Sequence, residues 1–173
     1  MIENICIIDT ETTGLSPKDS KMIEIGAIYY NIPTQSILYE AASLFYADSN
    51  PVESINHISC DTLSKVKQTM SDKALQLVGN LMYSADCIIA HNARFDKGFI
   101  EANDYLSGIS KQLKWVCSKE DINWRKGYGL KLQDIAHHYK VEYVAAHRAM
   151  ADCHILLKCL KELPDLSEQL NKA

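Results

Sequence analysis

Four acidic residues and one histidine carry the chemistry that this sequence offers. Asp9 and Glu11 fall within the run 5–15, ICIIDTETTGL, where an apolar stretch ends in two acids spaced two apart. In a β-strand successive side chains alternate faces, so these two carboxylates point the same way while Thr10 points oppositely. Their Cα atoms lie about 6.6 Å apart at ~3.3 Å rise per residue, a spacing from which both side chains converge on one hard cation that takes oxygen ligands. Without that cation the two anions repel, and one is expected to take up a proton. Asp96 adjoins the apolar stripe of Phe95, Phe99 and Ile100, and Asp152 shares a helical face with Cys153 and Leu156. A carboxylate turned toward a core is costly unless it is paired or ligates metal, and neither helix supplies an obvious cationic partner. A salt bridge from elsewhere accounts for one such aspartate. Two of them, alongside Asp9 and Glu11, favour metal ligation. His147 precedes Asp152 by five residues, about 500° on a continuous helix, so it is expected in the loop before that helix or in its first turn, leaning over the acids. The other histidines (His57, His91, His137, His138 and His154) read as structural.

The elements that must hold these groups follow from pattern. After the first strand, Thr12-Thr13-Gly14 with Ser16-Pro17 reads as a loop; 22–30 reads as a second strand with Gly26 inside it, and 38–46 as a third. The short connections predict an antiparallel meander, since parallel strands need a long crossover. Asp61 is expected to cap a short turn and Ser71 a longer helix through Met82, with Ala74, Leu75, Val78, Leu81 and Met82 at helical spacing. Residues 85–90 form a short buried-strand pattern that runs through His91-Asn92 into a helix over 93–106. A fifth strand is expected near 113–116, a helical turn at 119–124 and a helix over 130–139. The last helix, 148–160, carries Ala149, Cys153, Leu156, Leu157 and Leu160 as a core-facing stripe. Pro164 closes it, and the polar remainder is expected to fray. We therefore expect one domain over 1–173, its core about 3–163 and its tail 164–173.

A chain of 173 residues with 47% hydrophobic and 23% charged content is ordinary for one globular domain, and no apolar run approaches the ~20 residues of a membrane span. No secretory signal is visible after Met1, which makes the cytoplasm the default. Six cysteines without a C-x-x-C pair read as buried thiols and not as a zinc site or a disulfide framework. The net charge of −4 argues on its face against a nucleic-acid partner. Carboxylates neutralised on divalent metal would leave the surface near balance, with Arg94, Lys97, Arg125, Lys126, Lys131 and Arg148 among its cations.

Three segments carry a resemblance. D-T-E-T-T-G-L at 9–15, H-N-A-R-F-D at 91–96 and H-R-A-M-A-D at 147–152 resemble, in order and rough spacing, the three motifs of the DEDDh, or DnaQ-like, 3′→5′ exonuclease family. The segments PVESINHISCDTL and WVCSKEDINW look most like the stand-alone exonuclease X type. Where those relatives carry a glycine, this chain has Asn56-His57-Ile58-Ser59. The resemblance implies an α/β, ribonuclease-H-like mixed five-stranded sheet, three antiparallel strands then parallel ones, flanked by helices. It implies two divalent ions, Mg²⁺ or Mn²⁺, held by Asp9, Glu11, Asp96 and Asp152, with His147 as general base. Two such ions can activate a water and stabilise a departing 3′ oxygen. Thr12 and Leu15 resemble the residues that contact the terminal nucleotide, and Asn92 and Phe95 the supporting residues of the second motif. For Asn92 a helix cap, and for Phe95 simple core packing, are equal readings.

The leading expectation is therefore a hydrolase of nucleic-acid 3′ ends, preferring single-stranded or frayed DNA and releasing 5′-mononucleotides, with DNA repair as a natural setting. An exoribonuclease of the same family and a non-catalytic binding module are the alternatives. A phosphatase with Asp9 as covalent nucleophile has no support from the second and third motifs.

Overall fold

The computed structural model describes residues 2–124, 129–143 and 147–173; Arg125 and Lys126 lie outside the described residues. Three strands follow one another as the meander requires: β1 (Asn4–Thr12), β2 (Met22–Asn31) and β3 (Ser36–Leu44). Three helices, α1 (Glu53–Asn56), α2 (Cys60–Ser64) and α3 (Gln68–Ser84), lead to β4 (Cys87–Ala90). Then come α4 (Ala93–Glu101), α5 (Asp104–Ser110), β5 (Trp115–Cys117), α6 (Leu132–His138), α7 (Ala149–Lys161) and α8 (Leu166–Lys172). The strands form one mixed sheet in the order β3-β2-β1-β4-β5, antiparallel from β3 to β1 and parallel from β1 to β5. This is the ribonuclease-H-like arrangement.

Side-chain alternation along β1 divides the interior. Ile5 and Ile7 pack with Ile28 and Ile89 against α6, α7 and α8, while Cys6 and Ile8 pack with Ile25, Ala27 and Ile88 against α3 and α5. The strand does not stop at the acids but runs on to Thr12, so Asp9 and Glu11 continue the face of Ile5 and Ile7, toward α7. Pairing of Asp9 with Gly26 and of Glu11 with Glu24 locks that register, and a one-residue slip would send every side chain to the opposite face. Gly26 has a specific use. A Cβ placed there would lie 2.7 Å from the carbonyl carbon of Ala149 and 2.7 Å from the nitrogen of Met150, so only a glycine lets the first turn of α7 settle on β2.

Several expected boundaries move, each for a local reason. Ser59, not Asp61, caps α2, its Oγ accepting from the Thr62 N–H at 3.1 Å. Ser71 is buried inside α3, where its hydroxyl donates to the Leu44 carbonyl at 3.0 Å and ties helix to sheet. The helix expected over 93–106 breaks in two, because the Asn103 side chain accepts from the N–H groups of Tyr105 and Leu106 and starts α5. Residues 119–124 are not helical; Asp121 closes a turn by accepting from the Cys117 N–H at 2.7 Å. The tail does not fray. Leu166 and Leu170, four apart, bury one face of α8, and Lys114 reaches over to donate to the Leu170 carbonyl at 2.9 Å. Among the described residues no helix is long and apolar enough to cross a membrane.

Gly26→Ala is expected to lower the unfolding free energy by about 1–3 kcal/mol, since the added methyl meets backbone that cannot swing aside. Denaturant melts of the purified variant check this. An unchanged midpoint would show that α7 yields at that contact.

Candidate active site

At the end of β1 nearest α7, strand and helix bring the acids together. Asp9 and Glu11 project from β1. Asp96 enters from the first turn of α4 and is 3% exposed, its Oδ1 accepting from the Thr10 N–H at 3.0 Å and the Thr10 hydroxyl at 2.9 Å. Asp152 stands in the first turn of α7; its Oδ2 accepts the His147 N–H at 3.3 Å, and its Oδ1 is buried without a hydrogen-bond partner. All four carboxylates and His147 line one cavity of about 560 Å³. Ligand atoms of Glu11, His147 and Asp152 lie within 4.8 Å of one another. His147 sits in the loop before the helix, one of the two places the five-residue interval allows, with φ of 67° in the left-handed region that favours glycine.

Among the described residues no lysine or arginine forms a salt bridge with any of the four. Arg148, four residues before Asp152, turns instead to Glu24. The electrostatic consequence is plain. Burial, then the neighbouring Asp96, Asp152, Glu11 and Glu24, raise the Asp9 carboxyl well above its ordinary range. Glu11 is pushed up to about 8 by burial first and by Asp152, Glu24 and Asp96 next, with Arg148 partly offsetting them. Asp96 rises to about 7 through burial, against the two Thr10 hydrogen bonds that favour its anion. Asp152 is raised by burial and held back by His147. A group of acids that cannot all ionise alone, with one carboxylate oxygen left unpartnered, fits a divalent cation.

The remaining candidates divide. Asn92 and Phe95 border the cavity and also line, with Leu15, Arg94 and Pro17, an adjoining depression of about 360 Å³. Leu15 is 87% exposed there, an apolar side chain presented to solvent. Asn92 occupies the N-cap position of α4, yet its side chain makes no capping hydrogen bond, while Phe95 packs at 5.0 Å from the Phe99 ring. Thr12 lines neither space. It is buried, donates to the Gly14 carbonyl at 2.6 Å, and receives on its own carbonyl the Asn56 side chain at 3.2 Å. The segment without the glycine meets the end of β1 through Asn56, and His57 takes φ of 56° in the glycine's place.

Sequence reading passed over Glu24 and His91. Glu24 is 4% exposed and accepts from Arg148 Nε at 3.0 and 3.1 Å, from Arg148 Nη2 at 2.7 Å and from the Ala149 N–H at 3.0 Å. Its signal was a lone charge between Ile23 and Ile25 in a strand otherwise apolar. His91 lines the cavity, with Nδ1 3.0 Å from the Ser118 hydroxyl, and burial lowers its pKa. Its place directly after β4 was the available signal. His154 keeps the structural reading, its Nε2 2.9 Å from Glu40.

The sheet order and helix placement are those of solved nucleases. The fold superposes on Escherichia coli exonuclease I in complex with a dT13 oligonucleotide with a TM-score of 0.76 at 18% identity, over 98% of this chain and 43% of that one. It also superposes on the nuclease domain of 3′hExo, a DEDDh family member bound to rAMP, with a TM-score of 0.70 at 17% identity, covering 91% and 90% of the two chains. Residues 6–160 match the exonuclease family RNase_T, and the chain belongs to it as a DnaQ-like exonuclease domain, hence an enzyme. The DNA polymerase III subunit epsilon of Treponema pallidum is 28% identical over 171 residues, 87% of this chain and 71% of that protein. The PolC-type DNA polymerase III of Staphylococcus saprophyticus is 30% identical over 179 residues, 92% of this chain but 12% of that protein.

The raised carboxyls fix the sign of a pH effect. Groups whose folded-state pKa exceeds the unfolded value of about 4 contribute stability below that pH and lose it as pH rises through the folded values, about 7 for Asp96 and about 8 for Glu11. With chelator present, the melting temperature is expected to fall between pH 5 and 8.5, and added Mg²⁺ or Ca²⁺ to restore more of it at pH 8.5 than at pH 5. Thermal melts across that range check both, and a flat or rising chelated profile would contradict the assignment.

Proposed function

We propose that this chain is a metal-dependent 3′→5′ exonuclease that trims DNA 3′ ends, preferring single-stranded or frayed ones, and releases 5′-mononucleotides. The observation that carries the reading is the convergence of Asp9, Glu11, Asp96 and Asp152, with no salt bridge to a lysine or arginine among the described residues, beside a histidine held at positive φ. These four carboxylates would hold two Mg²⁺ or Mn²⁺ ions. Such ions, when bound, supply Lewis-acid stabilisation of charge on the scissile phosphate and the departing 3′ oxygen.

The chain's own residues do the rest. His147, exposed at the cavity edge, takes a proton from the attacking water through its imidazole, the side chain that most often serves as a general base. The water oxygen bonds to phosphorus as the bond to O3′ breaks; the departing oxygen takes a proton from solvent, leaving a 3′ hydroxyl on the shortened strand and a 5′ phosphate on the released nucleotide. Lys119 and Lys131, which line the same cavity, bring positive charge toward the phosphates. Leu15, Asn92 and Phe95 border the space where the terminal base would lie, with Leu15 as an apolar wedge against it. Thr12, buried and turned toward Gly14, serves the terminal 3′ hydroxyl only if the loop after β1 opens that hydrogen bond.

DNA is favoured because the sequence relatives are DNA polymerase III chains. An exoribonuclease is the second reading, motivated by the rAMP in the 3′hExo structure. Six unpaired cysteines suit a reducing compartment such as the cytoplasm.

Asp9→Ala and Asp152→Ala should abolish nucleotide release with Mg²⁺ while the fold survives. His147→Ala should cost roughly 10²- to 10⁴-fold in rate with metal binding largely kept. The measurement uses 3′- and 5′-labelled single-stranded DNA, duplex DNA and RNA with Mg²⁺, Mn²⁺ or chelator. Turnover that survives either aspartate substitution, or no metal-dependent shortening of any substrate, would defeat the reading. Faster shortening of RNA than of DNA would turn it to the second one.

A further inference from the structure

We propose that Glu24 and Arg148 form a positioning clamp that sets the place of His147 for the reaction; the inference rests on the exonuclease reading above. Glu24 is the fifth acidic side chain at this end of the sheet. It stands directly across from Glu11 in the β1–β2 register, and cross-strand partners share a face, so it points toward the same region as the other acids. Its bonding separates it from them. Three contacts from the Arg148 guanidinium and one from the Ala149 N–H occupy its carboxylate, and they fill the acceptor capacity of that group. Glu24 is therefore committed to the chain just after His147.

The commitment matters because of how His147 is held. Its imidazole is exposed, and among the described residues its backbone is anchored by one long hydrogen bond, N–H to Asp152 Oδ2 at 3.3 Å. A non-glycine residue at φ of 67° keeps that conformation only where its surroundings impose it. On the C-terminal side they do so twice. The clamp fixes Arg148 and Ala149 to β2 at Glu24, and the close approach at Gly26 fixes Ala149 and Met150 two residues further along the same strand. A fork-shaped guanidinium on a buried carboxylate gives direction as well as attraction, which an ammonium on the same stem would not reproduce. The clamp touches neither water nor phosphate in this scheme; it acts through His147.

The test is a set of kinetic cycles on a short single-stranded oligonucleotide. Arg148→Met and Glu24→Gln are each expected to lower kcat by about 10- to 100-fold, with KM within twofold of the wild type, since small displacements of a reacting group cost on this scale. The double variant should be no slower than the slower single one, because the two residues act as a unit. Arg148→Lys should recover only part of the loss. The decisive measurement adds Arg148→Met to His147→Ala, where it should cost nothing further. Should Glu24→Gln fail to fold, Arg148→Met carries the test, its side chain being 48% exposed. Clamp variants at full kcat, a change confined to KM, or an undiminished loss in the His147→Ala background would each overturn the clamp alone. An inactive wild type would take down the exonuclease reading and the clamp with it.

Discussion

Asp9 and Glu11 project from one face of β1 into a space that already receives Asp96 and Asp152, and the neighbouring elements are arranged around the mutual repulsion of these groups. Each carboxylate is drawn away from water and toward like charges, the two conditions that most strongly oppose ionisation. Apolar side chains at the same positions would pack without that conflict. The fold instead keeps the acids and surrounds them with partial remedies. Thr10 gives Asp96 two hydrogen bonds, and the His147 backbone gives Asp152 one. None of these cancels a full charge. A divalent cation would, and that is the electrostatic argument behind the proposed metal site.

Sheet and helices divide the labour. The sheet supplies the fixed part: β1 bears two acids in register with β2, and that register is sealed on both faces by isoleucine and cysteine side chains. The helices supply the converging part, since α4 and α7 each contribute one aspartate from a first turn, where the helix dipole favours a negative charge. The loop before α7 adds the histidine. Glu24 shows how environment decides a carboxylate's use: opposite Glu11 and on its face, it is taken up by a guanidinium and a backbone N–H and holds structure in place.

Much of this was legible in the residues. Alternation in 5–15 and the short connections to 22–30 and 38–46 implied the meander; the aspartates on apolar helical faces pointed to a shared cluster; and the interval from His147 to Asp152 put the histidine in the loop before the last helix or in its first turn. The misreadings share a cause. Ser71 has the type of a cap, but the decision lay with the Leu44 carbonyl, far away in sequence. Asn103 broke a helix that periodicity ran straight through, because side-chain capping competes with helix continuation and leaves no trace in an apolar pattern. In the tail, charge masked the Leu166–Leu170 pair, too short a stripe to stand out before the surface it covers is known. Glu24 showed as a lone charge between two isoleucines, but nothing near it in sequence announces its partner Arg148.

The span of that contact has a consequence for when the protein becomes competent. Glu24 and Arg148 are 124 positions apart, and Cys153 of α7 meets Ile7 of β1 across 146. The acids of β1 and of α7 meet only after the whole stretch from β1 to α7 has been made and α7 has docked. Such non-local closure is entropically slow and arrives late in folding. No fragment that lacks either β1 or α7 holds all four carboxylates, so the cluster exists only once the topology between them is closed.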